Sequence, residues 1–438
     1  MNDIKVGLIG FGNIGAGVVK LLGQNAEVIR QKVGAGIILK RIADRDITTD
    51  RGVPVPPSLL TTNVDDIFDD PEISMVIELV GGYEPAKSFV LKAIEKGKNV
   101  VTANKALLAL HGEEIYAAAA RKNVEVQFEA AVGGGIPVLT AIKGNMAANN
   151  FINIFGILNG TCNYILTRMT QEGADFNDVL KAAKELGYAE PDPTFDIEGT
   201  DTAHKLAILV SLCFGTRIDF NAIHTEGISK ISGLDVKFAR DFGYRIKLLA
   251  IGKIADGKIE ARVHPTMIPL NNPLADVHGV FNAIRLTGDF VGTVMLYGRG
   301  AGQDPTASAI VGDLIGLARR KLAGAGRTVA PLGLLDEYLL NLPVKPMSDI
   351  ISKYMLRFSA RDLPGVLGTI ASVLGKHNIS ISSMVQTAHD ENDSAPVPIV
   401  IMTHVAVEGS VQSALGEIDN FDFICEKTTF IRLEDNLE

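Results

Sequence analysis

The chain has 438 residues, of which 47% are apolar and 21% charged. That is the composition of a protein with a packed core, long enough for roughly two to four domains. A formal net charge of -9 suits a polyanion poorly, which argues against a nucleic-acid partner. Cys162, Cys213 and Cys425 are odd in number and lack metal-ligand spacing. They imply neither a disulfide framework nor a zinc site and are expected to be reduced core thiols. The N-terminal segment reads as a strand and not as a signal peptide. No apolar run approaches the ~20 residues of a membrane span, so a soluble, cytoplasmic protein is expected.

In chain order, an apolar strand at Ile4–Ile9 runs into a glycine-rich turn. A helix over 16–30 leads to a second strand at Ile37–Ala43. Strands are expected at 75–80, 99–102 and 125–128, with helices at 86–96 and 113–122 between them. Such alternation argues for a parallel sheet with helices on both faces. The middle third mixes strands near 151–158 and 261–269 with helices near 176–186 and 201–213, an α+β pattern. A second glycine run, 298–302, precedes a helix over 305–323. The two prolines in 342–346 suggest a linker. Beyond it, strand, helix, strand, strand, helix, strand can be traced over 354–433, a small βαββαβ domain with a polar hairpin-like loop at 389–394.

The turn Gly10-Phe11-Gly12-Asn13-Ile14-Gly15 is a GxGxxG motif in the strand-to-helix context it requires. Gly10 permits the tight turn, Gly12 lets a pyrophosphate approach the backbone, and Gly15 lets the helix pack close to the strand. The helix start supplies free N–H groups and partial positive charge. A Rossmann-type domain binding NAD(P) is the expectation; a plain strand-helix turn is the alternative. The second strand ends at Asp44 and Arg45. An acidic residue there favours the ribose hydroxyls of NAD, and an arginine favours the phosphate of NADP. Alternate residues point in opposite directions, so one of the two is expected to face the ribose.

Oxidation of an alcohol also needs a group that takes the hydroxyl proton. A dense polar stretch holds Gly187, Glu190 and Asp196, followed by Asp201 and Lys205, after which the chain turns strongly apolar. A helix starting near Gly199 puts Asp201 and Lys205 one turn apart on one face, where it passes from solvent into the core. A lysine so placed can serve as acid and base; a surface i,i+4 ion pair is the alternative. Glu190 and Asp196 also suit loop carboxylates with capping roles. Lys105 follows the strand 99–102, at the carboxyl end of a parallel strand, where ligands bind in such sheets. It also suits a solvated helix-start lysine.

Six segments, in order over roughly the first 320 residues, resemble the homoserine dehydrogenase family: GLIGFGNIGAGV, VVTANKALLA, EAAVGGGIPVL, GILNGTCNYILTRM, YAEPDPTFDIEGTDTAHKLAIL and GRGAGQDPTASAIVGDL. The resemblance implies interconversion of L-homoserine and L-aspartate 4-semialdehyde with NAD(P), on the route to threonine, methionine and isoleucine. It implies Lys205 as the proton shuttle aided by Asp201, and Glu190 on the substrate ammonium with Asp196 nearby. It further implies Lys105 at the cofactor and Gly187 and Gly302 approaching it with backbone. A monovalent cation, Na+ by expectation, would be held by Glu129 (carboxylate or carbonyl) and the carbonyls of Val132, Gly134 and Ile136. By itself the Gly133-Gly134-Gly135 run reads as a turn.

The C-terminal segment resembles an ACT domain, on Ser359-Ala360-Arg361-Asp362-Leu363-Pro364-Gly365-Val366-Leu367 and His377-Asn378-Ile379-Ser380-Ile381. This implies an amino-acid effector, L-threonine by expectation, near Asp362, Gly365 and Asn378. A dimerisation module without a ligand is the alternative. The expected domains are 1–129 with 303–325 for the cofactor, 130–302 for substrate and dimerisation, and 350–433 for regulation, in a homodimer or homotetramer. Two rivals remain: a cofactor-sensing regulator that has lost catalysis, and a dehydrogenase for another small hydroxy amino acid.

Overall fold

A computed structural model describes residues 3–326, 330–386 and 396–437. The chain divides into two compact units: 1–160 with 201–223 and 280–342, and 161–200 with 224–279 and 343–438. Both units combine stretches from more than one of the three functional segments expected from the sequence. Among the described residues, no helix is long and apolar enough to cross a membrane.

The first unit is organised by a six-stranded sheet. Its strands lie in the order Leu60–Thr61, Ile37–Ala43, Ile4–Ile9, Ile73–Glu78, Asn99–Thr102 and Val126–Gln127, and every pair is parallel. The order reverses between Ile4–Ile9 and Ile73–Glu78, the switch point beyond which doubly wound sheets bind nucleotides. Val6, Leu8, Ile42, Met75 and Ile77 are almost wholly buried, as expected of parallel strands covered on both faces. The helical stretch expected over 16–30 is two helices, Asn13–Gln24 and Ala26–Val33, which break at Asn25.

Helix Gln303–Leu322 returns to this core from late in the chain, burying Ala307, Ile310 and Leu314 with the first strand. It packs on Asn13–Gln24 because Gly17 has no side chain; a Cβ there would stand 2.7 Å from Gln303 Cγ. An antiparallel ribbon of Phe151–Ile157, Phe281–Gly288 and Gly292–Arg299 completes this unit.

The second unit is built on a long hairpin, Tyr244–Ala255 with Lys258–Pro269, turned at Asp256-Gly257, both at positive φ. Its second strand pairs in parallel with Ile424–Leu433 through Thr266 and Arg432. The C-terminal order is Ile351–Ala360, Val366–Lys376, Ile381–Gln386, Val397–Thr403, Glu408–Ile418 and Ile424–Leu433: the expected βαββαβ. The loop expected at 389–394 lies outside the described residues. The expected linker 342–346 is tied down, with Ile259 donating to the Pro343 carbonyl and Lys345 to that of Ile259. The cysteines depart from expectation. All three are free thiols, but only Cys162 is buried; Cys213 is half-buried and Cys425 exposed, at the solvated start of the last strand.

Candidate active site

The glycine turn has the geometry its motif demands. Gly10 has φ +99, and a Cβ there would lie 2.7 Å from the Leu79 carbonyl carbon and oxygen. A Cβ on Gly15 would be 2.3 Å from the Gly10 oxygen. Gly12 has nothing within 4 Å of such a Cβ and opens helix Asn13–Gln24 without a side-chain cap. Gly302, at φ +117, likewise opens Gln303–Leu322 without a side-chain cap. Gln303 Nε2 ties the two helix starts together, donating to the Asn13 carbonyl and Asn13 Oδ1, each at 2.9 Å. Two adjacent uncapped helix starts fit a pyrophosphate; Gln303 is a contributor the sequence reading missed.

Asp44 turns toward this glycine turn. Its carboxylate accepts from the Phe11 N–H and, at 2.9 Å, from the Asp46 N–H, while Arg45 is exposed. On the other side of the switch point, buried Glu78 accepts from the Thr102 hydroxyl and the Val80 N–H, both at 2.7 Å. Thr102 Oγ1 accepts from Asn104 N–H at 3.0 Å, and Asn104 caps helix Lys105–Lys122 through the Leu107 N–H at 3.1 Å. This chain of bonds fixes the first residue of that helix, Lys105.

The proton-handling candidates converge. Helix Thr200–Phe214 is buried nearly throughout, and Asp201 and Lys205 are 4% and 8% exposed, which rules out a surface ion pair. Lys205 Nζ donates to Asp201 Oδ2 and to the Leu158 carbonyl, each at 2.7 Å. Asn159 Nδ2 donates to the same Oδ2 at 2.9 Å, and Lys105 Nζ lies 3.2 Å from Oδ1. Burial alone would raise the Asp201 pKa, but Lys205, Lys105 and Asn159 outweigh it and hold the carboxyl well below its ordinary value. Neighbouring His204 is pushed down to about 4 by burial and then by the Lys105 charge, so it is neutral at pH 7. One carboxylate thus faces two ammonium groups. Leu158 and Asn159 were not singled out from sequence; they stand at the end of a strand whose role only its neighbours reveal.

In the second unit, the Thr161 hydroxyl donates to the Tyr188 carbonyl at 2.7 Å and lies 3.1 Å from Asp196 Oδ2. It pins the ends of the polar stretch that includes Glu190, which is exposed, and half-buried Asp196. Gly187 has φ +73 and open space where a Cβ would stand.

Around the expected cation site, the Glu129 carboxylate is already engaged. It accepts from Leu139 N–H at 2.8 Å, Thr140 N–H at 2.6 Å and the Thr140 hydroxyl. The Glu129 carbonyl accepts a longer bond, 3.4 Å, from the Val132 N–H. Gly133 and Gly134 have φ +74 and +54, and no hydrogen bond to the Val132 or Gly134 carbonyl occurs among the described residues. The Ile136 carbonyl accepts from the Val138 N–H at 2.8 Å. Backbone carbonyls are a ligand type that a hard cation takes, and no cluster of three His, Cys, Asp or Glu side chains is found among the described residues.

Gly365, φ +92, opens helix Val366–Lys376, and Asp362 Oδ1 accepts from Gln386 Nε2 at 3.2 Å. Asn378, φ +58, terminates the same helix with its N–H on the Gly375 carbonyl. An eleven-residue helix is about 16 Å long. Within one chain, a small amino acid does not reach both Gly365 and Asn378.

Family models match along the chain: the homoserine dehydrogenase NAD-binding domain over residues 10–129, homoserine dehydrogenase over 137–315, and the ACT domain over 354–423. A curated homoserine dehydrogenase of Pseudomonas aeruginosa is 43% identical over 434 residues, covering 99% of each chain. The crystal structure of a homoserine dehydrogenase from Thiobacillus denitrificans is 46% identical, covers 99% of each chain and superposes with a TM-score of 0.93. A hyperthermophilic archaeal homoserine dehydrogenase, solved with NADPH, is 25% identical and covers 72% of this chain and 97% of its own, with a TM-score of 0.61. A buried lysine–aspartate pair on a helix, an open glycine cradle and relatives this similar from end to end lead to one conclusion: the chain belongs to the homoserine dehydrogenase family of nicotinamide-dependent oxidoreductases and carries a C-terminal ACT domain.

Proposed function

We propose that Lys205 carries the proton of the reacting hydroxyl, and that Asp201 and Lys105 hold it in place and charge. The carrying observation is the asymmetry of the cluster: Lys205 has three N–H donors and two acceptors, Leu158 and Asp201. The third donor is left for a substrate oxygen. A bound nicotinamide would supply the hydride acceptor for the alcohol carbon of L-homoserine. For oxidation Lys205 first releases its third proton to solvent; the neutral amine, still donating to Leu158 and Asp201, then takes the hydroxyl proton on its lone pair, leaving L-aspartate 4-semialdehyde, and in the reverse direction the ammonium returns it. Glu190 receives the substrate ammonium and Asp196, steadied by Thr161, the remaining polar contact. Gly10, Phe11, Gly12, Asn13, Ile14 and Gly15, with Gly302, cradle the pyrophosphate, while Gly187 and Lys105 complete the cofactor's surroundings.

Asp44 is the ribose contact in this reading, because it turns to the glycine turn while Arg45 is exposed. NAD is then used at least as well as NADP; the archaeal relative's complex with NADPH marks the alternative, in which Arg45 takes the phosphate. A monovalent cation rests on the carbonyls of Glu129, Val132, Gly134 and Ile136. The segments 1–129 with 303–325, 130–302 and 350–433 serve cofactor, substrate and regulation. L-threonine binds the C-terminal domain, with Asp362 and Gly365 at one helix end. Since Asn378 is at the other, it contacts effector only if a second copy aligns beside the first, as in a homodimer. Homoserine-dependent reduction of NAD+ and NADP+ by the parent, Lys205→Ala and Asp44→Ala tests the site assignments, and truncation after residue 345 tests the threonine response.

A further inference from the structure

A cavity of about 350 Å³ opens between helices Lys105–Lys122 and Thr200–Phe214 and the segment 331–339. These helices carry Lys105, Asp201 and Lys205 in their first two turns; the cavity meets them further along, all within the first compact unit. Its wall is aliphatic, with Leu108, Ala207, Ile208 and Leu332 buried around it. The charged lining residues are Glu113, Arg217 and exposed Asp336, and Arg217 Nε lies 3.1 Å from Glu113 Oε1. Arg217 is held in place: its N–H donates to the Leu340 carbonyl at 2.9 Å, beside fully buried Thr216, whose hydroxyl accepts from Leu342 N–H at 3.0 Å.

The second observation is Tyr116. It shares a helix face with Glu113 and Ala117, lines the cavity, and is 8% exposed. Its ring stacks on Phe128 at 5.7 Å, and burial raises the phenol pKa, so it stays protonated. Its hydroxyl makes no hydrogen bond among the described residues and is not sealed in the core, so on the cavity lining it offers a donor and an acceptor to a ligand.

We propose that this cavity binds a free α-amino acid with a branched aliphatic side chain. The side chain packs on the aliphatic wall. The carboxylate meets Arg217 and accepts from the Tyr116 hydroxyl, and the ammonium meets Glu113. The existing ion pair selects a zwitterion: a simple carboxylate would sit against Glu113, and a simple amine against Arg217. The volume is at the small end of the ~300–1,000 Å³ typical of small-molecule sites.

Calorimetric titration of the full chain with L-leucine tests this, with 4-methylpentanoate and 3-methylbutylamine as controls lacking one charge each. L-leucine is expected to bind in the millimolar range or better, and each control at least about tenfold more weakly. Arg217→Gln should abolish binding and Tyr116→Phe weaken it severalfold, while Gly365→Asp in the C-terminal domain leaves it unchanged. Ala117→Met, which narrows the cavity from helix Lys105–Lys122, should also abolish it; thermal melts report whether each variant is folded. No binding at tens of millimolar, equal binding of 4-methylpentanoate, or retention in both Arg217→Gln and Ala117→Met overturns the proposal. So does loss of binding in Gly365→Asp, which assigns L-leucine to the C-terminal domain.

Discussion

Two buried charge clusters in this molecule are assembled from similar groups and differ in how completely those groups are matched. In the second unit, Arg432 is 1% exposed and grips two carboxylates: Glu226 through both Nη atoms at 2.9 Å, and Glu408 through Nε and Nη2 at 2.9 and 2.7 Å. Those carboxylates are further held by His224, the Tyr354 hydroxyl and Gln412. Every carboxylate oxygen there has a protein partner. Around Asp201, one carboxylate faces two ammonium groups, and Lys205 keeps a donor in reserve. A saturated network fixes strands in place, because any movement strands a buried charge. An unsaturated one has capacity for a ligand, and its net positive charge welcomes an oxygen that is losing a proton.

If that contrast is sound, the largest effect comes from removing the reserve donor. Lys205→Ala should lower turnover by roughly 10²–10⁴ with cofactor affinity near that of the parent. Steady-state kinetics check this; turnover within about threefold of the parent would erase the distinction. Next comes the saturated cluster. Arg432→Met strands buried Glu408, while half-buried Glu226 can turn to water, and should cost ~3 kcal/mol of stability in denaturant unfolding. A loss below about 1 kcal/mol would show the network to be no stronger than surface pairs.

A smaller effect concerns pH. The folded His204 value of about 4 lies below its ordinary 6.5, so the unfolded chain binds the proton more readily between those values. Its contribution is present above pH 6.5 and is lost as pH falls toward 4. The depressed Asp201 carboxyl acts in the same direction at still lower pH. The melting temperature should drop from pH 7 to pH 4, and His204→Gln should flatten the upper part of that drop; an unchanged slope would contradict it. The smallest effect is at Asp44, whose carboxylate is partnered by backbone yet keeps acceptor capacity. Asp44→Ala loosens the glycine turn and should weaken both cofactors, with an excess of about tenfold against NAD if it binds the ribose. Equal losses, or a strong parental preference for NADP, would point to Arg45.

Much of this is legible in the sequence because it is local. The GxGxxG turn follows from three glycines whose missing side chains are each required, and Asp201 and Lys205 share a face by helical spacing alone. Their burial was legible only as a trend toward apolar residues after Lys205. The partners that complete the cluster, Leu158, Asn159 and Lys105, come from remote segments, and no spacing rule joins residues 105, 159 and 201. Helix Gln303–Leu322 was foreseen as a helix, but the Gln303 tie to Asn13 spans 290 residues. The hairpin strand Tyr244–Ala255 was overlooked despite its Asp256-Gly257 turn signal, because a long run buried along most of its length lacks strict alternation. The opposite placement of Gly365 and Asn378 is simple helix arithmetic that motif matching passes over.

The most direct test of proton transfer through Lys205 is turnover of Lys205→Ala at saturating homoserine and cofactor, with and without added methylamine. A small amine fits the space the side chain vacates and supplies the missing group from solution. Turnover that rises with methylamine concentration, while the parent does not respond, is the expected result. A variant that retains nearly parental turnover, or one that is inactive, correctly folded, cofactor-bound and indifferent to every small primary amine tried, would contradict the assignment.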